Sequence, residues 1–353
     1  IGWNEYETCS RCNHSTYEEI AALGHDWEVI ETDTEITHKC KREGCGATNV
    51  ESKDTVFRIF GDDRYETGFK TADALKAQLG WDKFSTVIIA NGKNFADALA
   101  GSYLAGVKEA PILLTNGKNV DELKAYLAEN MNANGTVYIL GGTAAVPQNT
   151  EDAMNTISGI NVKRLKGKSR YETNIEILKE AGVTNEDILV ATGANFADSL
   201  SASAVGKPIL LVDGKKSLSA VQKEYLASLG TENIYILGGT GAVGANYESE
   251  LAAYGKVERV KGASRYETSV EIANKFFTNP DSAVVAYAWN FPDGLSGGPL
   301  AMAMDAPLIL TKTANQAAAK AYVQANGIEN GAILGGASLI DDATAKDIFG
   351  IKR

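Results

Sequence analysis

Six arginines recur in pairs at one spacing: Arg58-x-x-Gly61-x-x-Arg64, Arg164-x-x-Gly167-x-x-Arg170 and Arg259-x-x-Gly262-x-x-Arg265. A guanidinium keeps its charge at any physiological pH, and its planar fork matches phosphate or carboxylate oxygens two at a time. Each pair therefore marks a candidate anion site, and the second adds Lys163, Lys166 and Lys168. The same groups equally suit docking against acidic caps of a neighbouring copy. A second kind of chemistry is written at the start of the chain, where Cys9-x2-Cys12 and Cys40-x4-Cys45 are spaced like two knuckles around one tetrahedral zinc. Two disulfides are the other use of four cysteines in an oxidising compartment, and His25 or His38 is able to replace a cysteine as ligand.

Catalytic chemistry is poorly provided for. Residues 46–353 contain neither Cys nor His, which removes the commonest general base from most of the chain. The recurring acids have a structural use. Asp63, Ser169 and Ser264 stand three positions before Glu66, Glu172 and Glu267, the spacing of a helix capping box. Asn94, Asn195 and Asn290 precede Asp97, Asp198 and Asp293 by three in the same way, so the asparagines read as caps and the aspartates as first-turn, structural residues. Gly239-Thr240-Gly241-Ala242-Val243-Gly244 matches G-x-G-x-x-G, but the equivalent stretches beginning at Gly142 and Gly336 share only the leading glycines, so a dinucleotide site is not expected.

These residues are positioned by elements that occur three times. RYET at 64–67, 170–173 and 265–268 is followed by NFADAL, NFADSL or NFPDGL, then APILLT, KPILLV or APLILT, then an ILGG turn. The first glycines of those turns, Gly141, Gly238 and Gly335, lie 97 residues apart, so the repeating unit is the size of a small domain. In the first copy Val56–Phe60, Thr86–Ala90, Pro111–Thr115 and Thr136–Leu140 read as short apolar strands. Arg64–Leu79, a segment from about Phe95, and Val120–Asn130 read as helices. Apolar strands alternating with helices predict an α/β domain with a parallel sheet covered on both faces, Rossmann-like in each copy. The expected divisions are 1–52 for the cysteine module and 53–158, 159–255 and 256–353 for the copies, the third ending soon after Asp347 without a full terminal helix.

With 44% hydrophobic and 22% charged residues the chain is expected to fold around real cores. A net charge of −11 argues against nucleic acid as a whole-surface partner, although locally positive crevices are compatible with it. No apolar run is long enough to insert into a membrane, and Ile1 opens no signal segment, so a processed form or a segment is expected.

With RYET, NF[AP]D, P[IL][LI]L and ILGG in fixed order three times, residues 53–353 closely resemble the cell wall binding repeat 2 family of clostridial-type surface proteins. That resemblance implies three Rossmann-like repeats about a pseudo-threefold axis, an extracellular place at the cell wall, and noncovalent anchoring to an anionic wall polymer, teichoic-acid-like or a secondary polysaccharide. It implies no catalysis. It carries onto Arg64, Arg170 and Arg265 and onto Asn94, Asn195 and Asn290 as ligand contacts, with Arg58, Arg164 and Arg259 next. The third copy departs at Pro292 and Gly294. Residues 1–52 contain two cysteine-bearing half-repeats around ALGHDW and resemble spacer modules of Gram-positive surface proteins, so the module is expected to be zinc-ribbon-like, with Cys9, Cys12, Cys40 and Cys45 as ligands. A displayed protein–protein adhesin and, more weakly, an enzyme acting on wall polymer are the other classes considered.

Overall fold

A computed structural model describes residues 2–3, 8, 10–12, 15, 19–20, 24–31, 35–52 and 55–351. The chain forms two units, Ile1–Thr55 and Val56–Arg353. In the first, β1 (Gly2–Trp3) pairs antiparallel with β2 (Glu19–Ile20). Strands β3 (Trp27–Glu31), β4 (Glu35–Cys40) and β5 (Thr48–Ser52) make an antiparallel meander.

The second unit is mixed α/β throughout. The first copy runs β6 (Val56–Ile59), α1 (Arg64–Leu79), β7 (Phe84–Asn91), α2 (Ala96–Ala100), α3 (Ser102–Val107), β8 (Ile112–Thr115), α4 (Val120–Asn130), β9 (Met131–Leu140) and α5 (Gln148–Met154). The second runs β10 (Asn161–Leu165), α6 (Arg170–Glu180), β11 (Ile188–Thr192), α7 (Ala197–Ala202), β12 (Ile209–Val212), α8 (Ala220–Ala227), β13 (Asn233–Leu237) and α9 (Asn246–Leu251). The third runs β14 (Lys256–Val260), α10 (Arg265–Phe276), β15 (Ser282–Tyr287), α11 (Pro292–Leu295), α12 (Gly297–Ala303), β16 (Leu308–Thr311), α13 (Ala317–Ala325), β17 (Asn330–Leu334) and α14 (Asp342–Phe349). Contrary to expectation, the third copy closes with a complete helix, capped by Asp341 and stopped at Gly350 in the left-handed conformation.

Three parallel four-stranded sheets result, ordered β10-β9-β7-β8, β12-β11-β13-β14 and β16-β15-β17-β6. The strand that precedes each RYET helix thus joins the sheet of the preceding copy. For β6 the preceding copy is the last, and Val56–Ile59 lie in register with Gly331–Leu334. The ring is closed by a pairing between its two ends.

Burial explains why the apolar runs read so clearly. Val87, Ile88, Ile89 and Ala90 of β7 are fully buried, as are Ile112–Thr115 of β8 and their counterparts. A parallel strand covered by helices on both faces has no polar side, and each such Leu or Ile contributes about 1.5–3 kcal/mol.

The copies dock through their signature helices: α6 packs on α2, α10 on α7, and α1 on α11 and α12. Where the three NF[AP]D segments meet, the rings of Phe95, Phe196 and Phe291 form a triangle with centroids 5.6–6.0 Å apart, each pair tilted edge to face at 60–65°. Edge-to-face pairs are favoured by the ring quadrupole, and three mutually tilted rings mark the pseudo-threefold axis.

Candidate functional site

The RYET turn is built from caps. Asp63 accepts from the amides of Tyr65 and Glu66, Ser169 from Glu172, and Ser264 from Tyr266. The glutamates reach one residue further than a capping box requires: Glu66 accepts from the Asp62 amide at 2.6 Å and Glu172 from the Lys168 amide at 3.0 Å. Glu267 bonds instead to the Ser264 hydroxyl. Accepting these bonds holds the Glu66 and Glu267 carboxyls below the ordinary glutamate range. The threonines, which sequence reasoning passed over, accept from Gly61, Gly167 and Gly262, each at 3.0 Å. A Cβ on any of these glycines would lie 2.4–2.5 Å from the glutamate Cβ, so the turn needs glycine for close approach.

The two arginines of each copy are put to different uses. Arg164 donates to the Gly141 and Val146 carbonyls at 2.9 and 3.0 Å and pairs with Glu151 at 2.8 Å. Arg259 bonds the Gly238 and Gly244 carbonyls and Glu248, and Arg58 bonds the Gly335 and Ile340 carbonyls and Asp342. Their side chains are only 7–15% exposed. These groups clamp the ILGG turn to the following helix.

Arg64, Arg170 and Arg265 sit instead at the carboxyl ends of the strands. Each donates one Nη1 bond to a strand-end carbonyl of its own copy: Gly92 at 2.7 Å, Gly193 at 2.5 Å and Ala288 at 2.6 Å. Each also faces the preceding copy. Arg170 lies 5.6 Å from the Phe95 ring and Arg265 5.5 Å from Phe196, a cation–π approach. The aspartates of NF[AP]D complete the arrangement. Burial pushes the carboxyls of Asp97, Asp198 and Asp293 up, and the charges of Arg170, Arg265 and Arg64, respectively, oppose that rise. Each carboxylate tucks under an ILGG turn. A Cβ at Gly141, Gly238 or Gly335 would fall 2.3–2.5 Å from it, and all three glycines have φ of +89° to +97°.

Between the second and third copies this geometry opens a cleft of about 470 Å³. Asn195, Asp198, Asp213, Lys215, Gly239 and Arg265 line it. It lies beyond the carboxyl ends of β11 and β13, where the strand order reverses and open α/β sheets place ligands. Asn195, expected as a contact, is exposed there, its Oδ1 accepting from the Phe196 amide at 2.7 Å. Asn94 Oδ1 accepts from the Ala96 amide two residues on, at 3.3 Å, and Asn290 Oδ1 from the adjacent Phe291 amide, at 3.1 Å. Of the extra glycines in that stretch, Gly241 has open space where a Cβ would stand, whereas a Cβ at Gly244 would fall 2.5 Å from the Asn246 side-chain oxygen and 3.2 Å from the Gly214 carbonyl, so Gly244 answers to its own turn.

The sequence model for Cell wall binding domain 2 (CWB2) matches residues 58–151, 164–248 and 259–345. The chain belongs to the CWB2 family. Membership associates it with the cell wall. Among curated proteins it is similar to the N-acetylmuramoyl-L-alanine amidase LytC of Bacillus subtilis (strain 168), 28% identical over 83% of this chain. Among solved structures it is similar to Cwp6 of Clostridium difficile, with 26% identity, TM-score 0.73 and 90% of this chain covered. Cwp8 of the same organism shares the fold, with TM-score 0.75 and 23% identity over 90% of this chain. The chain spans 58% of LytC, 52% of Cwp6 and 59% of Cwp8. Among the described residues no helix is long and apolar enough to cross a membrane.

The three CWB2 copies are not identical at the cleft. Where the second copy has Ala194 the third has Trp289, which is 54% exposed and donates to the Tyr266 hydroxyl at 2.6 Å. The Arg265 guanidinium lies 4.3 Å from the Trp289 ring, so it is held between Trp289 and Phe196.

Outside the CWB2 copies, the cysteine unit brings Cys40 and Cys45 together with His25. Cys12 is exposed and stands apart from that group, and Cys9 lies outside the described residues. His38 falls within β4, opposite Val29 and Asn49. The Arg42 backbone amide, helped by His25 and opposed by burial, lowers the Cys40 thiol to about 7.

Proposed function

We propose that this chain anchors a surface protein noncovalently by gripping an anionic polymer of the Gram-positive wall, teichoic-acid-like or a secondary polysaccharide, in the clefts between its CWB2 copies. The observation that supports this best is the open cleft between the second and third copies, where Arg265 and Lys215 stand beside the start of α10. Asp213 is paired with Lys216 at 3.2 Å and Asp198 is opposed by Arg265, so the carboxylates lining the cleft are largely balanced. Arg265 spends one donor on Ala288 and is held between two aromatic rings, leaving donors oriented for an oxyanion. Arg64 and Arg170 hold the equivalent positions in their copies, Asn195 lines the cleft, and Asn94 and Asn290 are its counterparts in the repeat. Arg58, Arg164 and Arg259 act by shaping the turn. Three weak sites on one rigid ring raise avidity for a repeating polymer.

In this reading the chain binds and does no chemistry of its own; LytC is named as an amidase, but this chain spans only part of its length. The test is retention of the purified protein on cell walls before and after chemical removal of the anionic polymer. Loss of retention on stripped walls is expected, and equal retention would overturn the proposal.

A further inference from the structure

We propose that His25, Cys40 and Cys45 form a binding site for a zinc-class divalent cation in the Ile1–Thr55 unit, with His25 rather than Cys12 as the third ligand beside the two cysteines. The ligand atoms of the three side chains all lie within 4.8 Å of one another, and Cys45 Sγ is 3.3 Å from His25 Nδ1. A tetrahedral zinc with sulfur at about 2.3 Å and nitrogen at about 2.0 Å spaces its ligand atoms about 3.5–3.8 Å apart. The cluster therefore needs only a small contraction to close on an ion.

The backbone brings these residues together without help from a metal. Trp27 pairs with Cys40 in the β3–β4 ladder, which lays the His25 segment beside the end of β4. The Lys41 amide bonds the Asp26 carbonyl at 2.8 Å, fixing that approach. The turn that returns Cys45 is held by Cys45 N–H to the Arg42 carbonyl at 3.1 Å and by Cys40 N–H to the Ala47 carbonyl at 2.9 Å. Two thiolates and an imidazole are a soft-to-borderline donor set, which selects zinc over calcium or magnesium and neutralises a dication.

A second observation concerns stability. Among the described residues of this unit Cys40 is the buried apolar side chain, whereas Trp27, Val29 and Ile30 are 39–57% exposed. A unit this small with so little core needs a cross-link, and metal binding supplies folding free energy directly.

The test uses the full chain, purified under reducing conditions, stripped with chelator and reloaded with zinc or cobalt(II). One zinc per chain and a thiolate-to-cobalt charge-transfer band are expected. Cys40→Ser and Cys45→Ser should abolish both, and His25→Ala should weaken zinc on the order of tenfold or more. His25→Cys should restore binding, which separates removal of a ligand from loss of the fold, and Cys12→Ser should bind as the parent chain does. A Cys40–Cys45 disulfide in the freshly isolated protein, or metal absent from Cys12→Ser but kept by His25→Ala, would overturn the assignment.

Discussion

Asp198 in the second copy and Arg265 in the third line one cleft from opposite sides of a copy boundary, and the arginine's charge opposes the rise that burial imposes on the carboxyl. The same relation joins Asp97 to Arg170 and Asp293 to Arg64. Each signature helix therefore brings its arginine to a neighbour's acid, so the interactions that hold the ring also assemble the candidate sites.

The half-buried arginines of the RYET turns should govern wall retention. Replacing Arg64, Arg170 and Arg265 together by alanine should lower the melting temperature, because Asp97, Asp198 and Asp293 lose their facing charges, yet leave a ring that is folded at the assay temperature by circular dichroism and elutes from native walls at lower salt than the parent. Salt screens the attraction between exposed charges, so a surface with fewer cations facing the polymer is released by less of it. Unchanged elution would remove these residues from the grip.

Acidity should strengthen that grip. Burial raises the carboxyls of Asp97, Asp198 and Asp293, so they take up protons above the ordinary aspartate range as pH falls, freeing the facing arginines for a polymer anion. Linkage has the same sign for stability. A group with a raised folded pKa contributes stability that is present below its unfolded pKa and lost as pH rises through its folded pKa. Elution salt and melting temperature, each relative to the Asp97→Asn, Asp198→Asn, Asp293→Asn variant, should therefore rise as pH is lowered from 7 toward that range. Parallel pH profiles for parent and variant would contradict this.

The clamp arginines predict a graded cost. Glu151 is 21% exposed opposite Arg164, Glu248 50% opposite Arg259, and Asp342 73% opposite Arg58. Glu151→Gln should cost the most, on the order of 3 kcal/mol, because it strands a buried charge. Asp342→Asn should cost under about 1 kcal/mol, as water screens that pair. Urea denaturation of the three single variants measures the order.

The aromatic triangle should stabilise more than it binds. Phe291→Ala removes two edge-to-face pairs and should destabilise by about 1–3 kcal/mol from those pairs alone. Wall retention below the melting transition should change little, and a variant that melts like the parent would refute the role.

How much of this was legible depended on whether a residue's partner was local. The caps at Asp63 and Ser169 were readable because their bonds span two or three residues, and the PILL strands because burial on both faces leaves an unbroken apolar run. The use of Arg58, Arg164 and Arg259 as clamps was hidden, since Asp342 lies 284 residues from Arg58. Asp97, Asp198 and Asp293 read as first-turn residues because a cap spacing does not reveal which neighbour an acid faces. The one signal in the sequence was that an acid and an arginine recurred together in all three copies. Membership of β6 in the last sheet was equally hidden, because a parallel strand carries no local mark of its partner.

That last pairing has a consequence for how such a protein can vary. A solenoid lengthens by adding units at a free end, but here strand Val56–Ile59 occupies the place that a fourth unit would need. Three is thus a closed count, and the ring cannot grow by simple extension. The three copy junctions are topologically equivalent instead, so the polypeptide could begin at any of them and rebuild the same molecule.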